Sequence, residues 1–149
     1  MVLCGDTPLI TGATLKTLVD THIAENNAIT VLTAKVDDPT GYGRIIKDED
    51  GNFIKIVEQK DASEEEQKVN EINSGMYMFD SDILSQTLDM IDNNNAQGEY
   101  YLTDTIEIVK NKNLGRVATV VVKDANEIKG VNSPEQLKEA EDILMQRGK

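Results

Sequence analysis

An apolar run, Val2-Leu3-Cys4, that ends in Gly5-Asp6 at the start of the chain is the strongest constraint on what this sequence can fold into. It reads as a buried strand delivering a carboxylate to its own C-terminal end. Ligands of open α/β sheets bind at that edge, so Asp6 is a candidate metal or ribose contact. Domains of this class that grip phosphate carry a glycine loop on an earlier strand. No such loop stands ahead of Asp6 in these residues. The expectation is therefore one half of a catalytic domain.

Strand and helix periods alternate along the rest. Leu15, Leu18, Val19 and Ile23 repeat at helical spacing before the β-branched run 28–36, which makes a strand-helix-strand unit. The turn-rich loop 37–44 leads to Ile45-Ile46 and to Phe53–Glu58, two short strands joined at Asp50-Gly51 as a hairpin. The acidic stretch 61–68 is expected as a solvated loop or helix, and 71–79 alternates like a half-buried strand. Helices are expected around 83–91 and 106–110, and a strand over 116–122. Ser133-Pro134-Glu135-Gln136 carries the pattern of a capping box opening a final helix, with Leu137, Ala140 and Leu144 as its apolar stripe. The polar segment 93–104 is too rich in turn formers, and too oddly furnished with Tyr100-Tyr101, to be filler.

With 149 residues the chain can bury roughly two-thirds of its unfolded surface, enough for one core. A net charge of -12 argues against a nucleic-acid or anionic-membrane partner, and against phosphorylated ligands unless a divalent cation intervenes. One cysteine allows no internal disulfide, and no stretch reads as a leader or a membrane span, so a cytoplasmic location is expected. His22 lies on a helical stripe beside Leu18 and Val19, a packing or surface position. Cys4 therefore lacks a partner that would make it a nucleophile.

The strings CGDTPL, DDPTGYGRI, VEQKDA, EINSGMY, NNNAQGEYYLTD and GVNSPEQL stand in this order from Leu3 to Leu137. Together they resemble the second half of the uridyltransferase domain of the bifunctional bacterial N-acetylglucosamine-1-phosphate uridyltransferase and glucosamine-1-phosphate acetyltransferase family. The resemblance implies an α/β fold, a partial Rossmann-like nucleotidyltransferase domain with a mixed, largely parallel sheet and a β-hairpin insertion. It implies that residues 1–149 form the C-terminal half of that domain, without the N-terminal nucleotide loop and without the C-terminal left-handed β-helix that carries acetyl transfer. The implied reaction is attack by the phosphate of N-acetylglucosamine 1-phosphate on the α-phosphorus of UTP, giving UDP-N-acetylglucosamine and pyrophosphate, a cell-wall precursor step assisted by Mg²⁺. No covalent intermediate arises, so no residue is given a nucleophilic role.

Residue by residue, Asp6 and Asn132 match the family's metal ligands. Gly43, Glu58 and Asn73 match sugar contacts, Tyr101 and Thr103 line the same pocket, and Cys4 and Gly5 offer backbone contact to the nucleotide. Read without the family, Asp6 is a strand-end cap, Asn132 a turn residue, Glu58 an exposed charge and Asn73 a turn amide. Tyr100 and Tyr101, if on a strand, face opposite ways, so at most one meets a ligand. Lys60 is set aside as an exposed lysine. Further expectations are that the isolated chain is inactive, that an unpaired sheet edge promotes self-association, and that the family's homotrimer is built by the β-helix. The alternatives are another hexose-1-phosphate nucleotidyltransferase, or a non-catalytic sugar-nucleotide binding or assembly module.

Overall fold

The computed structural model describes residues 1–94 and 98–148, so Asn95, Ala96 and Gln97 of the polar segment 93–104 lie outside the described residues. The elements run α1 (Gly12–Ala24), β1 (Ile29–Lys35), β2 (Arg44–Lys47), β3 (Phe53–Val57), α2 (Glu64–Gln67), β4 (Glu71–Phe79), α3 (Ser81–Leu88), α4 (Asp104–Asn111), β5 (Val117–Val121), a 3₁₀ turn (Ala125–Ile128) and α5 (Pro134–Arg147).

The strands make one sheet in the order β3-β2-β4-β1-β5. It is mixed, as expected, but its parallel pairing is β1 with β5, while β1–β4, β2–β3 and β2–β4 are antiparallel. The balance follows from the connections. A tight turn at Gly51 can join only antiparallel strands, whereas β1 and β5 are separated by helices long enough for a crossover.

Every residue of β1 except Lys35 is buried, which explains its unbroken apolar and threonine content: it has strand neighbours on both sides and side-chain layers on both faces. Ile29 and Val31 join Phe53, Tyr77, Phe79, Ile106 and Val109 on the face covered by α3 and α4. Leu32 and Ala34 join Leu18, Ile72, Met76 and Ile128 on the α1 face. No helix among the described residues is long and apolar enough to cross a membrane.

Caps set the helix starts. Thr11 Oγ1 accepts from the Thr14 N–H, and the buried Glu127 carboxylate accepts from both the N–H and hydroxyl of Thr11 at 3.0 Å, tying the 3₁₀ turn to the head of α1. Of the two expectations for the acidic stretch, the structure shows a short helix, opened by a Ser63–Glu66 capping box.

Three local expectations change. Val2 makes an isolated antiparallel bridge to Tyr77, with Leu3 43% exposed; the opening run is a bridge and not a buried strand. Gln136 reaches back to the N–H of Asn132 at 2.7 Å instead of the Ser133 N–H, while Ser133 Oγ caps Gln136 as expected. Of the stripe on α5 only Ala140 is buried; Leu137 and Leu144 are about half exposed.

Candidate functional site

The site is organised by an irregularity in β4. Opposite β1, Asn73 pairs with Thr33 and Tyr77 with Val31, so Ser74, Gly75 and Met76 together face Leu32 alone. Regular pairing would need one residue there, and the surplus is thrown out as a bulge. Gly75 takes φ +77, a conformation that favours glycine. Ser74 Oγ donates to the Leu32 carbonyl at 2.6 Å and accepts from the Met76 N–H, fixing the bulge from within.

The bulge brings residues four apart into contact. In a regular strand they stand about 13 Å apart, yet Asn73 Nδ2 donates to the Tyr77 hydroxyl at 2.9 Å, and that hydroxyl lies 3.2 Å from Asn73 Oδ1. The Gly75 N–H also donates to Asn73 Oδ1, at 3.1 Å. The Asn73 amide is thus held in one orientation. Burial pushes the Tyr77 phenol up to about 12, against the lowering effect of its bond to Asn73, with the Cys4 and Glu58 charges adding to the rise. Tyr77 is therefore a neutral, uncharged anchor at any physiological pH.

Gly43 and Glu58 join Asn73 here. The Asn73 N–H donates to the Gly43 carbonyl at 2.9 Å. A Cβ on Gly43 would meet Glu58 Oε1 and Ile56 Cγ2 at 3.1 Å. Three residues from separate stretches, matched one at a time in the sequence, thus stand together. The demand for glycine at 43 is here one of close approach to the Glu58 carboxylate.

Asp6 and Asn132 form a second pair. The Val131 N–H donates to the Asp6 carbonyl at 2.8 Å. A Cβ on Gly130 would meet Asp6 Oδ2 at 2.9 Å and Asn132 Nδ2 at 3.3 Å, so the carboxylate and the amide flank Gly130. Both are exposed to solvent. A cavity of about 190 Å³ lined by Tyr42, Gly130 and Gln136 opens beside this pair, one residue from Gly43.

Cys4 lies between the two groups. Its Sγ packs against Gly75, where a Cβ would come within 3.0 Å. Burial first, then the Asp6 charge, pushes its thiol up, so it is a spacer and not a nucleophile. Gly5 is exposed with open space where a Cβ would stand, so nothing inside the chain requires glycine there.

Tyr101 has its hydroxyl buried with no hydrogen-bond partner among the described residues, while Tyr100 is 65% exposed. Burial, then the Glu99, Asp104 and Glu58 charges, raise the Tyr101 phenol. Tyr101 is thus the tyrosine whose phenol lies near enough to Glu58 for that charge to act on it. Thr103 sits at the N-cap position of α4 without a capping side-chain bond, and no hydrogen bond joins it to Glu58 or Asn73 among the described residues. Tyr77, Gly75 and Gly130 were not singled out in the sequence. An isolated glycine inside the strand-like EINSGMYMF is the signal that could have found the first two.

The chain matches the family described as Nucleotidyl transferase over residues 1–125. It is 56% identical over 147 residues to the bifunctional protein GlmU of Caldanaerobacter subterraneus subsp. tengcongensis, covering 99% of this chain and 32% of that protein. It is 54% identical to the GlmU of Thermoanaerobacter pseudethanolicus and 52% to that of Clostridioides difficile, with the same coverage. The chain spans about a third of the length of the curated relatives it matches. A solved structure of a Bacillus anthracis protein described as a glucose-1-phosphate thymidylyltransferase, in complex with a sucrose, superposes with a TM-score of 0.60 at 21% identity, covering 87% of this chain and 48% of that one. That likeness bears on the fold alone.

Proposed function

We propose, from the premise that this chain belongs to the nucleotidyl transferase family, that its residues form the sugar-binding and metal-binding half of an N-acetylglucosamine-1-phosphate uridyltransferase site. The observation that carries the reading is the convergence of Gly43, Glu58 and Asn73 on the β4 bulge. A carboxylate accepts from sugar hydroxyls, and an oriented amide both donates and accepts, which is what a polyhydroxylated ligand requires. The Tyr101 ring offers an apolar face for an acetamido methyl, and its buried, unpartnered hydroxyl awaits a polar atom.

The donor set at Gly130 fits a divalent cation. Asp6 supplies a hard anionic oxygen and Asn132 a neutral amide oxygen once its terminal group is turned, and no cluster of three or more acidic, histidine or cysteine side chains competes for the ion among the described residues. Such an ion, when bound, neutralises phosphate charge as the sugar-phosphate oxygen attacks the α-phosphorus of UTP and pyrophosphate departs. The chain's own residues bind and align. Glu58 and Asn73 fix the sugar, Gly43 lets the backbone close on it, and the Asp6 carbonyl bond to Val131 keeps the two polar side chains beside each other. Acetyl transfer is not assigned to any of these residues.

The test is a calorimetric titration with UDP-N-acetylglucosamine, with and without Mg²⁺, beside UDP-glucose. Tighter binding of the acetamido sugar that strengthens with Mg²⁺ is expected. Equal binding of both sugars, or indifference to Mg²⁺ and to Asp6→Ala, would sink the reading in favour of a non-catalytic binding module.

A further inference from the structure

Arg44 is 1% exposed, the bulkiest side chain among those buried most completely, and its charge enters the domain at the start of β2 with only a longer-range attraction from the Asp38 carboxylate. None of the ion pairs among the described residues includes it. Its Nε is buried without a partner among the described residues. A buried guanidinium outside any ion pair is costly, and an apolar residue of similar volume would be cheaper for stability alone. The groups it does hold explain its presence.

Arg44 Nη1 donates to the Tyr42 carbonyl, and Nη2 donates to Gln59 Oε1 at 2.5 Å. The same Gln59 oxygen accepts from the Gly41 N–H at 3.3 Å. Tyr42 immediately precedes Gly43, and Gln59 immediately follows Glu58. One rigid, planar fork therefore clamps the two residues that flank the Gly43–Glu58 contact, one just before β2 and the other just after β3. The Gly43 carbonyl in turn receives the Asn73 N–H, so the clamp reaches the third member of the group through the backbone.

We infer that Arg44 is a positioning residue for the sugar site, holding Gly43 against Glu58 through Tyr42 and Gln59. The inference rests on the proposed sugar 1-phosphate site. Arg44 touches no ligand itself. It sets the separation of the Gly43 backbone from the Glu58 carboxylate and restrains the 40–43 loop together with the Gly41 bond to Gln59 and the Asn73 bond to Gly43. Lysine would keep the charge but, as a point donor on a flexible stem, would not bridge both partners.

The experiment uses Arg44→Lys and, because a buried charge change can disturb folding, Gln59→Leu, which cuts the same clamp from a half-buried loop position. Amide exchange is followed without ligand at Asn73 and at Val31 in the centre of the sheet, and each variant is titrated with N-acetylglucosamine 1-phosphate. Both variants are expected to exchange the Asn73 N–H about tenfold faster while Val31 is unchanged, and to bind the sugar phosphate on the order of fivefold to tenfold more weakly. Unchanged Asn73 exchange in a folded variant overturns the inference, as does equal acceleration at Val31, which would mark Arg44 as a general stabiliser. Affinity equal to that of the parent chain overturns it too. If the parent chain itself fails to bind, the proposed function falls, and the ligand-free exchange still decides whether the clamp exists.

Discussion

The Val131 N–H donates to the Asp6 carbonyl across 2.8 Å, which fastens the turn before α5 to the first loop of the chain. That bond places residues far apart in sequence on either side of Gly130, with Asp6 Oδ2 and Asn132 Nδ2 both within reach of where a Cβ would stand. Gln136 secures the same turn by accepting from the Asn132 N–H. The backbone thus sets the Asp6 carboxylate and the Asn132 amide beside each other.

Gly130→Ala would put a methyl 2.9 Å from the Asp6 carboxylate. The far end of a flexible side chain can yield, so the fold is expected to survive while the carboxylate moves. The gain in UDP-N-acetylglucosamine affinity on adding Mg²⁺ should shrink about tenfold, or ~1.4 kcal/mol. Titration with and without Mg²⁺ measures it, and an undiminished gain would remove Gly130 from the account.

Tyr77→Phe keeps the ring on Phe79, whose centroid is 5.7 Å away, and deletes only the hydroxyl that holds Asn73. Stability should fall by about 1 kcal/mol. Sugar affinity should fall as well, since the amide is freed to rotate. Urea unfolding and sugar-phosphate titration read the two effects; a stability loss with intact affinity would show that the amide orientation is set elsewhere.

His22 is buried, with Nδ1 2.9 Å from Thr30 Oγ1, and burial holds its pKa below 6.5 despite the opposing pull of the Asp80 charge. The unfolded chain then takes up the proton first as pH falls. His22 therefore favours the fold fully above about pH 6.5, and that contribution drains away as pH drops from there through the lowered folded value. In His22→Gln this component should vanish, so the difference between the two stability-pH curves should slope only below pH 6.5. A flat difference would contradict the burial effect.

Glu71 is 6% exposed and accepts from Lys47 at 2.7 and 2.8 Å and from Thr33 at 2.8 Å. Glu71→Ala strands the lysine and the hydroxyl and should cost about 3 kcal/mol. Replacing Glu71 and Lys47 together with leucines should recover most of that. Denaturation midpoints with matched slopes decide; equal losses in the single and double variants would mean the pair is not what the residues contribute.

Much of the fold was legible because β1, α1 and the hairpin carry strong local signals: continuous burial, helical spacing, and a turn glycine at 51. The parallel share of the sheet was not, since pairing direction depends on partners distant in sequence. The candidate site residues were matched one at a time. Their assembly was hidden in two places where the usual rules of thumb point the other way. The alternation of EINSGMYMF reads as an even strand, because a bulge exists only relative to its neighbour. An arginine after a loop reads as solvated, so Arg44 drew no notice, and only packing reveals where its stem goes. The α5 stripe misled for the opposite reason, as its leucines follow the period of a buried face without a layer to cover them.

The bulge has a bearing on which changes of length the protein can tolerate. Between Asn73 and Tyr77 the number of residues matters more than their identity. Losing one of the three would shift the pairing by a step and turn either the amide or the phenol to the opposite face. A substitution there alters one contact, but a single-codon deletion would part Asn73 from Tyr77 while leaving a strand behind. The meeting of amide and phenol is in this sense encoded by counting.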